Sequence, residues 1–461
     1  MVLALGVIAT FAFSASFALE HPRSSMPIAP FAAYFLAMAV GFLAMTPLVA
    51  RSSTLDMSDV CALTAVMFLF GLGLRLTLLA STPILEVDFN RYLWDGALTA
   101  HGFNPYAIAP ADVSRLPYDD LRLELAKASG TVFENISYPE LKTIYPPVAQ
   151  AAFALAYYFA PWSLTAWRII CIAADVATFA LIVALLAACR RSPLWAVLYW
   201  WNPLVLKELA NSAHMEAILL PQVLAALLLV VRRRHLSAAL VLGLAIGTKL
   251  WPVLLIPLIL RPLVGAPLRL AAALLILAGL GIACALPVWL GSVGQTSGFV
   301  GFATQWTTNS ALFPLLERAA TALLAPISPS PVLPGLLVRT AAALAIAVAA
   351  LVLAWRPIAG ARDLVARATG TMTVLLLLSP AQFPWYVLWV LPFAVLQPGH
   401  GWHVAAAVMP LYYTAFHFHT TGTYAVFARY VVWALWLPIW LALAADVRRA
   451  MRTPRPTASA A

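Results

Sequence analysis

The chain has 461 residues, 63% of them hydrophobic and 10% charged, with a formal net charge of +10. Soluble globular proteins carry about 25% charged residues, so this composition excludes that class and requires apolar spans of about 20 residues to recur. The arginines sit in short clusters between apolar runs, which suits orientation in a membrane and contact with anionic lipids, and argues against nucleic acid as a partner.

Apolar runs cover 2–20, 27–50 and 60–80. No basic region precedes the first, so it reads as a span and not as a cleaved signal peptide. With the N-terminus cytoplasmic, three crossings place the next stretch outside. Residues 81–145 are polar and close on Tyr145-Pro146-Pro147. The apolar segment 148–160 is too short to cross and completes an outer loop over 81–160. The runs 163–189 and 216–231 end at Arg190-Arg191 and Arg232–Arg234. The positive-inside rule puts both clusters in the cytoplasm, so 194–212 runs outward and Asn211–Glu216 faces out.

The run 237–260 lies between basic clusters and is too short for two full spans. Lys249 and Pro252 sit near its midpoint. Two readings stand: a broken hairpin with Lys249 at the bottom of an outward cavity, or one straight span with Lys249 snorkelling. The run 268–290 leads to a second outer loop, 291–330. Further spans fit 332–354, 368–382, 385–398, 402–419 and 430–446. The expected fold is all-α and integral to the membrane, a polytopic bundle of about 13–14 spans. Residues 1–446 form one membrane domain, 1–58 being extra N-terminal spans, and 447–461 a disordered cytoplasmic tail. Cys61, Cys171, Cys189 and Cys284 lack CxxC spacing and read as packing residues.

A helix from Asp88 would align Asp88, Arg91, Tyr92 and Asp95 on one face, with Phe89, Leu93 and Ala97 on another, resting on the membrane surface. A carboxylate at such a boundary can serve as general base; a solvated helix with an ion pair has the same pattern. His214 and Glu216, two apart at the next outer turn, suit a cation or a sugar hydroxyl, or simply a polar helix end. Lys249 is a lone lysine in an apolar run, and its natural partner is a phosphate or a carboxylate. Arg168 and Asp175 share a helix face and suit mutual pairing; Arg75 and Arg339 are weaker phosphate candidates. Trp385 and Tyr386, in a Pro-broken outer turn, suit stacking on a sugar or prenyl chain, or an aromatic belt.

Asp88-Phe-Asn-Arg-Tyr-Leu-Trp-Asp-Gly96 and Gly102-Phe-Asn-Pro-Tyr106 resemble the GT-C superfamily of polytopic glycosyltransferases. The likeness is greatest to bacterial polyprenyl-phosphate-mannose-dependent mannosyltransferases, and more distant to the PIG-M type and the aminoarabinose transferases. It continues at Thr143–Pro147, Asn202–Glu208, Asn211–Glu216, Gly247–Pro252 and Ser379–Tyr386. The resemblance implies that Asp88 is the catalytic carboxylate and that the donor is a polyprenyl-phosphate sugar. Transfer would occur on the outer face with inversion, and Lys249 and Arg91 would bind the donor phosphate. Supporting or substrate-binding roles fall to Arg91, Tyr92, Asp95, Asn104, Tyr106, Tyr145, Asn202, His214, Glu216, Trp385 and Tyr386. Some relatives hold a divalent cation (Mg or Mn), for which Asp88, His214 and Glu216 are the candidate ligands here; His214 stands where a second acidic residue is usual. The acceptor stays open among glycolipid, polysaccharide, protein and isoprenoid. A bacterial inner membrane is the natural location. The rival reading is a secondary transporter or lipid-linked-sugar flippase; such folds show paired broken helices, and only one broken segment is found.

Overall fold

The computed structural model describes residues 28–51, 55–291, 297–327, 330 and 332–452. Among them the secondary structure is helical, apart from one isolated bridge between Thr308 and Ala381. The principal helices are α1 (Ile28–Arg51), α2 (Met57–Ala80), α3 (Asp88–Ala100), α4 (Pro147–Phe159), α5 (Leu164–Ala188), α6 (Glu216–Val231), α7 (His235–Thr248), α8 (Pro267–Gly291), α9 (Leu333–Ala354) and α10 (Tyr424–Arg452). Helices α1, α2, α5, α8, α9 and α10 are long and apolar enough to cross a membrane. The chain is an all-α polytopic membrane protein.

The remaining expected crossings take a different form. The run 2–20 and the tail beyond 452 lie outside the described residues. Prolines break several others. Pro193, just before 194–212, and Pro203, within it, each start a new short turn, and Pro384, Pro392 and Pro410 do so between 384 and 413. Proline fits the first turn of a helix, where its missing N–H is not needed, and disrupts any later turn. Pro203–Asn211 and α6 together make one apolar unit, bent by 117°. The bend is held by Ala213, whose φ of 57° is costly for a residue with a Cβ. Trp167 Nε1 anchors it by donating to the Ala213 carbonyl at 2.7 Å. The run 237–260 is likewise broken: α7 stops at Thr248, Lys249 is extended, and a 3₁₀ turn follows over Trp251–Leu255.

Helix α3 does not rest on a membrane surface. Leu93 and Ala97 are buried and Phe89 is half-buried, because α3 lies against α4. Gly96 permits this approach: a Cβ there would stand 2.5 Å from the Phe153 carbonyl oxygen. Tyr92 stacks on Phe153 with ring centroids 4.7 Å apart.

A buried arginine, Arg168, braces the segment that leads into α3. Arg168 does not pair with Asp175. It donates to the carbonyls of Leu79 (3.0 Å), Ser81 (2.6 Å) and Asn211. The Asn211 side chain accepts from Ile84 N at 2.9 Å and donates to the Thr82 carbonyl at 2.8 Å. Asp175 instead binds Arg75 Nε at 2.6 Å and the Tyr199 hydroxyl at 2.6 Å. Arg75 is therefore committed inside the bundle, and Arg339 bonds the Trp306 carbonyl and Thr307. All four cysteines are free thiols.

Candidate active site

The braced segment delivers Glu86 and Asp88 beside the break that carries His214 and Glu216. Between them lies a cavity of about 80 Å³. Asp88, Arg91, Lys142, Glu216 and Lys249 bring charge to its lining, and Tyr92, Tyr145, Phe302, Trp306, Phe383, Trp385 and Tyr386 bring aromatic rings. Phe383 stacks on Trp385 at 4.6 Å, and Trp385 on His214 at 4.1 Å. An aromatic ring offers a flat apolar face to the C–H surface of a sugar ring.

The charged residues differ in how far they are engaged. Arg91 Nε bonds Asp95 at 3.0 Å and Arg91 Nη2 the Leu141 carbonyl at 3.0 Å. Asp95 also accepts from Gln150 Nε2 at 3.2 Å. Lys249 Nζ bonds Glu216 Oε1 and lies 4.9 Å from the centroids of both Tyr386 and Trp389. Asp88 is half-buried, and its carboxylate has no ion-pair or hydrogen-bond partner among the described residues. Burial raises its carboxyl above the ordinary carboxylate range; nearby His214 and Lys249 offset part of that. An unpartnered, half-desolvated carboxylate is suited to taking a proton.

Of the residues expected at the site, the cavity brings together Asp88, Arg91, Tyr92, Tyr145, Glu216, Lys249, Trp385 and Tyr386. Others lie behind it. Asp95 holds Arg91. Asn104 donates to the Pro287 carbonyl at 2.8 Å, and the Tyr106 hydroxyl to the Tyr145 carbonyl at 2.6 Å. His214 supports Trp385. Asn202 caps the turn at Pro203 through its bond to Leu204 N and lines a separate small pocket near α1.

A buried cluster not anticipated from the sequence adjoins the cavity. Lys207 Nζ lies 3.3 Å from Glu208 and 3.7 Å from Glu86. Glu208 also receives the Tyr413 hydroxyl and lies 3.2 Å from His214 Nε2. Burial pushes the Glu86 carboxyl up to about 7, with Lys207 opposing. Glu86, Glu208 and His214 bring three potential ligand atoms within 4.8 Å of one another. Asp88 and Glu216 are not in that group. The oxygen–oxygen–nitrogen donor set suits a divalent cation, yet the Lys207 ammonium already places a positive charge between the two carboxylates.

Long apolar helices around a cavity lined by charged and aromatic side chains define an integral-membrane protein with a polar candidate site. The family described as Alpha-(1->6)-mannopyranosyltransferase, N-terminal domain, matches residues 8–265, more than half of the chain. The chain belongs to that family: it is a membrane mannosyltransferase, acting between a sugar donor and an acceptor. No curated protein and no solved structure matches it.

Proposed function

We propose that the protein transfers mannose from a polyprenyl-phosphate donor to an acceptor hydroxyl on the outer face of the membrane, with inversion at the anomeric carbon. The acceptor oxygen attacks C1 of the sugar as the bond from C1 to the phosphate oxygen breaks. Asp88 takes the acceptor proton, and polyprenyl phosphate leaves with the bonding electron pair. Arg91 and Lys249 place positive charge where the leaving phosphate gathers negative charge. The observation that carries this reading is the free carboxylate of Asp88 in the cavity of a mannosyltransferase-family chain. One available base and one displacement accord with inversion. Lys207 holds the positive charge among the nearby carboxylates, so no step is routed through Mg or Mn. A lipid-borne donor also fits a site set among long apolar helices, and a bacterial inner membrane with both chain ends in the cytoplasm completes the reading.

The test supplies labelled polyprenyl-phosphate mannose to membranes holding the wild type or Asp88→Asn at equal level. Label should leave the donor in the wild type and fall by at least about 100-fold in the variant. Equal transfer in both would remove Asp88 from the mechanism.

A further inference from the structure

We propose that Lys142 is the principal ligand for the donor phosphate, an assignment that rests on the lipid-phosphate reading above. Three cations line the cavity: Arg91, Lys142 and Lys249. Two of them already face a carboxylate, Arg91 through Asp95 and Lys249 through Glu216. An anion approaching either must compete with a negative charge that is held in place. Lys142 is half-buried and, among the described residues, donates to one group, the carbonyl of Gly291 at 2.8 Å. A carbonyl dipole is a weak partner for an ammonium, and a phosphate would replace it readily.

Position supports the same assignment. Gly291 is the last residue of α8. The side of α8 carrying Cys284, Val288 and Trp289 walls a second, apolar cavity of about 700 Å³. Chain neighbours connect the two spaces: Tyr145 lines the first and Pro146 the second, and Lys249 the first and Leu250 the second. A prenyl chain in the apolar cavity and a sugar in the polar one would leave the phosphate between them, and Lys142 lines the polar cavity while bonded to the end of the helix that walls the apolar one. Gly298 packs beside the Lys142 backbone. Its missing Cβ lets the helix Gly298–Gln305 close onto the Lys142 carbonyl.

The test measures binding of farnesyl phosphate and of farnesol to the purified protein in detergent. Wild type should favour the phosphate. Lys142→Gln should lower that preference about tenfold or more and leave farnesol affinity unchanged, which shows that the fold and the apolar cavity survive. Lys142→Arg should restore most of the preference. An undiminished preference in Lys142→Gln would overturn the assignment alone. A wild type that binds the alcohol and the phosphate equally would overturn both the assignment and the lipid-phosphate donor.

Discussion

Lys249 and Glu216, 33 positions apart in sequence, meet as an ion pair in the lining of the cavity. Each sits at a break: Lys249 just past the end of α7, Glu216 just past the 117° bend. The pair ties two interrupted helices at the point where neither has backbone continuity. Removing one partner leaves the other charge uncompensated, at a cost of about 3–5 kcal/mol for a fully buried pair; Glu216 is buried and Lys249 partly exposed, so the lower end applies. Lys249→Met should lower the unfolding temperature in detergent, and adding Glu216→Gln should recover much of it. Additive losses in the double variant would show that the pair is not a unit.

The proton-accepting role proposed for Asp88 sets a pH dependence. Its carboxyl lies above the ordinary carboxylate range because of burial. The base must be ionised to accept a proton, so transfer should fall as pH drops through that raised pKa. The fall should come at higher pH than for an exposed aspartate. A rate profile flat down to about pH 4 would contradict this.

Glu86 gives a stability signature of opposite sense to the usual carboxylate. Its folded pKa is raised to about 7, chiefly by burial. The folded state therefore binds more protons than the unfolded one between the ordinary carboxylate range and about 7, and stability falls as pH rises through that window. Glu86→Gln should flatten the slope of unfolding temperature against pH across it. An unchanged slope would assign it to another group.

Gly96 is the point of closest approach between α3 and α4. A methyl group there would meet the Phe153 carbonyl at 2.5 Å, a backbone atom that cannot rotate away. Gly96→Ala should cost about 1–3 kcal/mol and reduce transfer, since α3 carries Asp88 and Arg91. Full activity with unaltered stability would show that the two helices part without consequence.

Lys207 leads to an expectation about metals. Its ammonium stands between Glu86 and Glu208, two of the three groups able to hold a cation. EDTA should leave transfer unchanged. Loss of transfer that Mg or Mn restores would give those residues a metal.

Part of the charged lining is legible in the sequence, since an ionisable residue within an apolar run is expensive and stands out. Lys249 is visible on that ground, as is the interruption it marks; Asp88 and Arg91 stand out by helical spacing in a polar stretch, Glu216 by its place in an outer turn, and all three by the family likeness. The same rule applied to Lys207-Glu208 would have found the adjoining cluster; it was masked because 194–212 reads as a plain span. Helical spacing misled at Arg168 and Asp175. A shared face permits pairing, but each residue found a partner on another segment, which no single-helix pattern records. The burial of α3 was hidden for a similar reason. An amphipathic helix has one polar and one apolar side whether lipid or protein covers it, and only the contact at Gly96 decides between them.

The cavity lining comes from two separate lengths of chain. Asp88 through Lys249 lie within the family match over 8–265, whereas Phe302, Trp306, Phe383, Trp385 and Tyr386 lie beyond it. The groups proposed to serve proton and phosphate thus lie before residue 265, and most of the aromatic lining lies after it. The two lengths are coupled: Tyr386 lies 4.9 Å from the Lys249 ammonium and Trp385 stacks on His214, so a change in the later length reaches the charged groups of the earlier one.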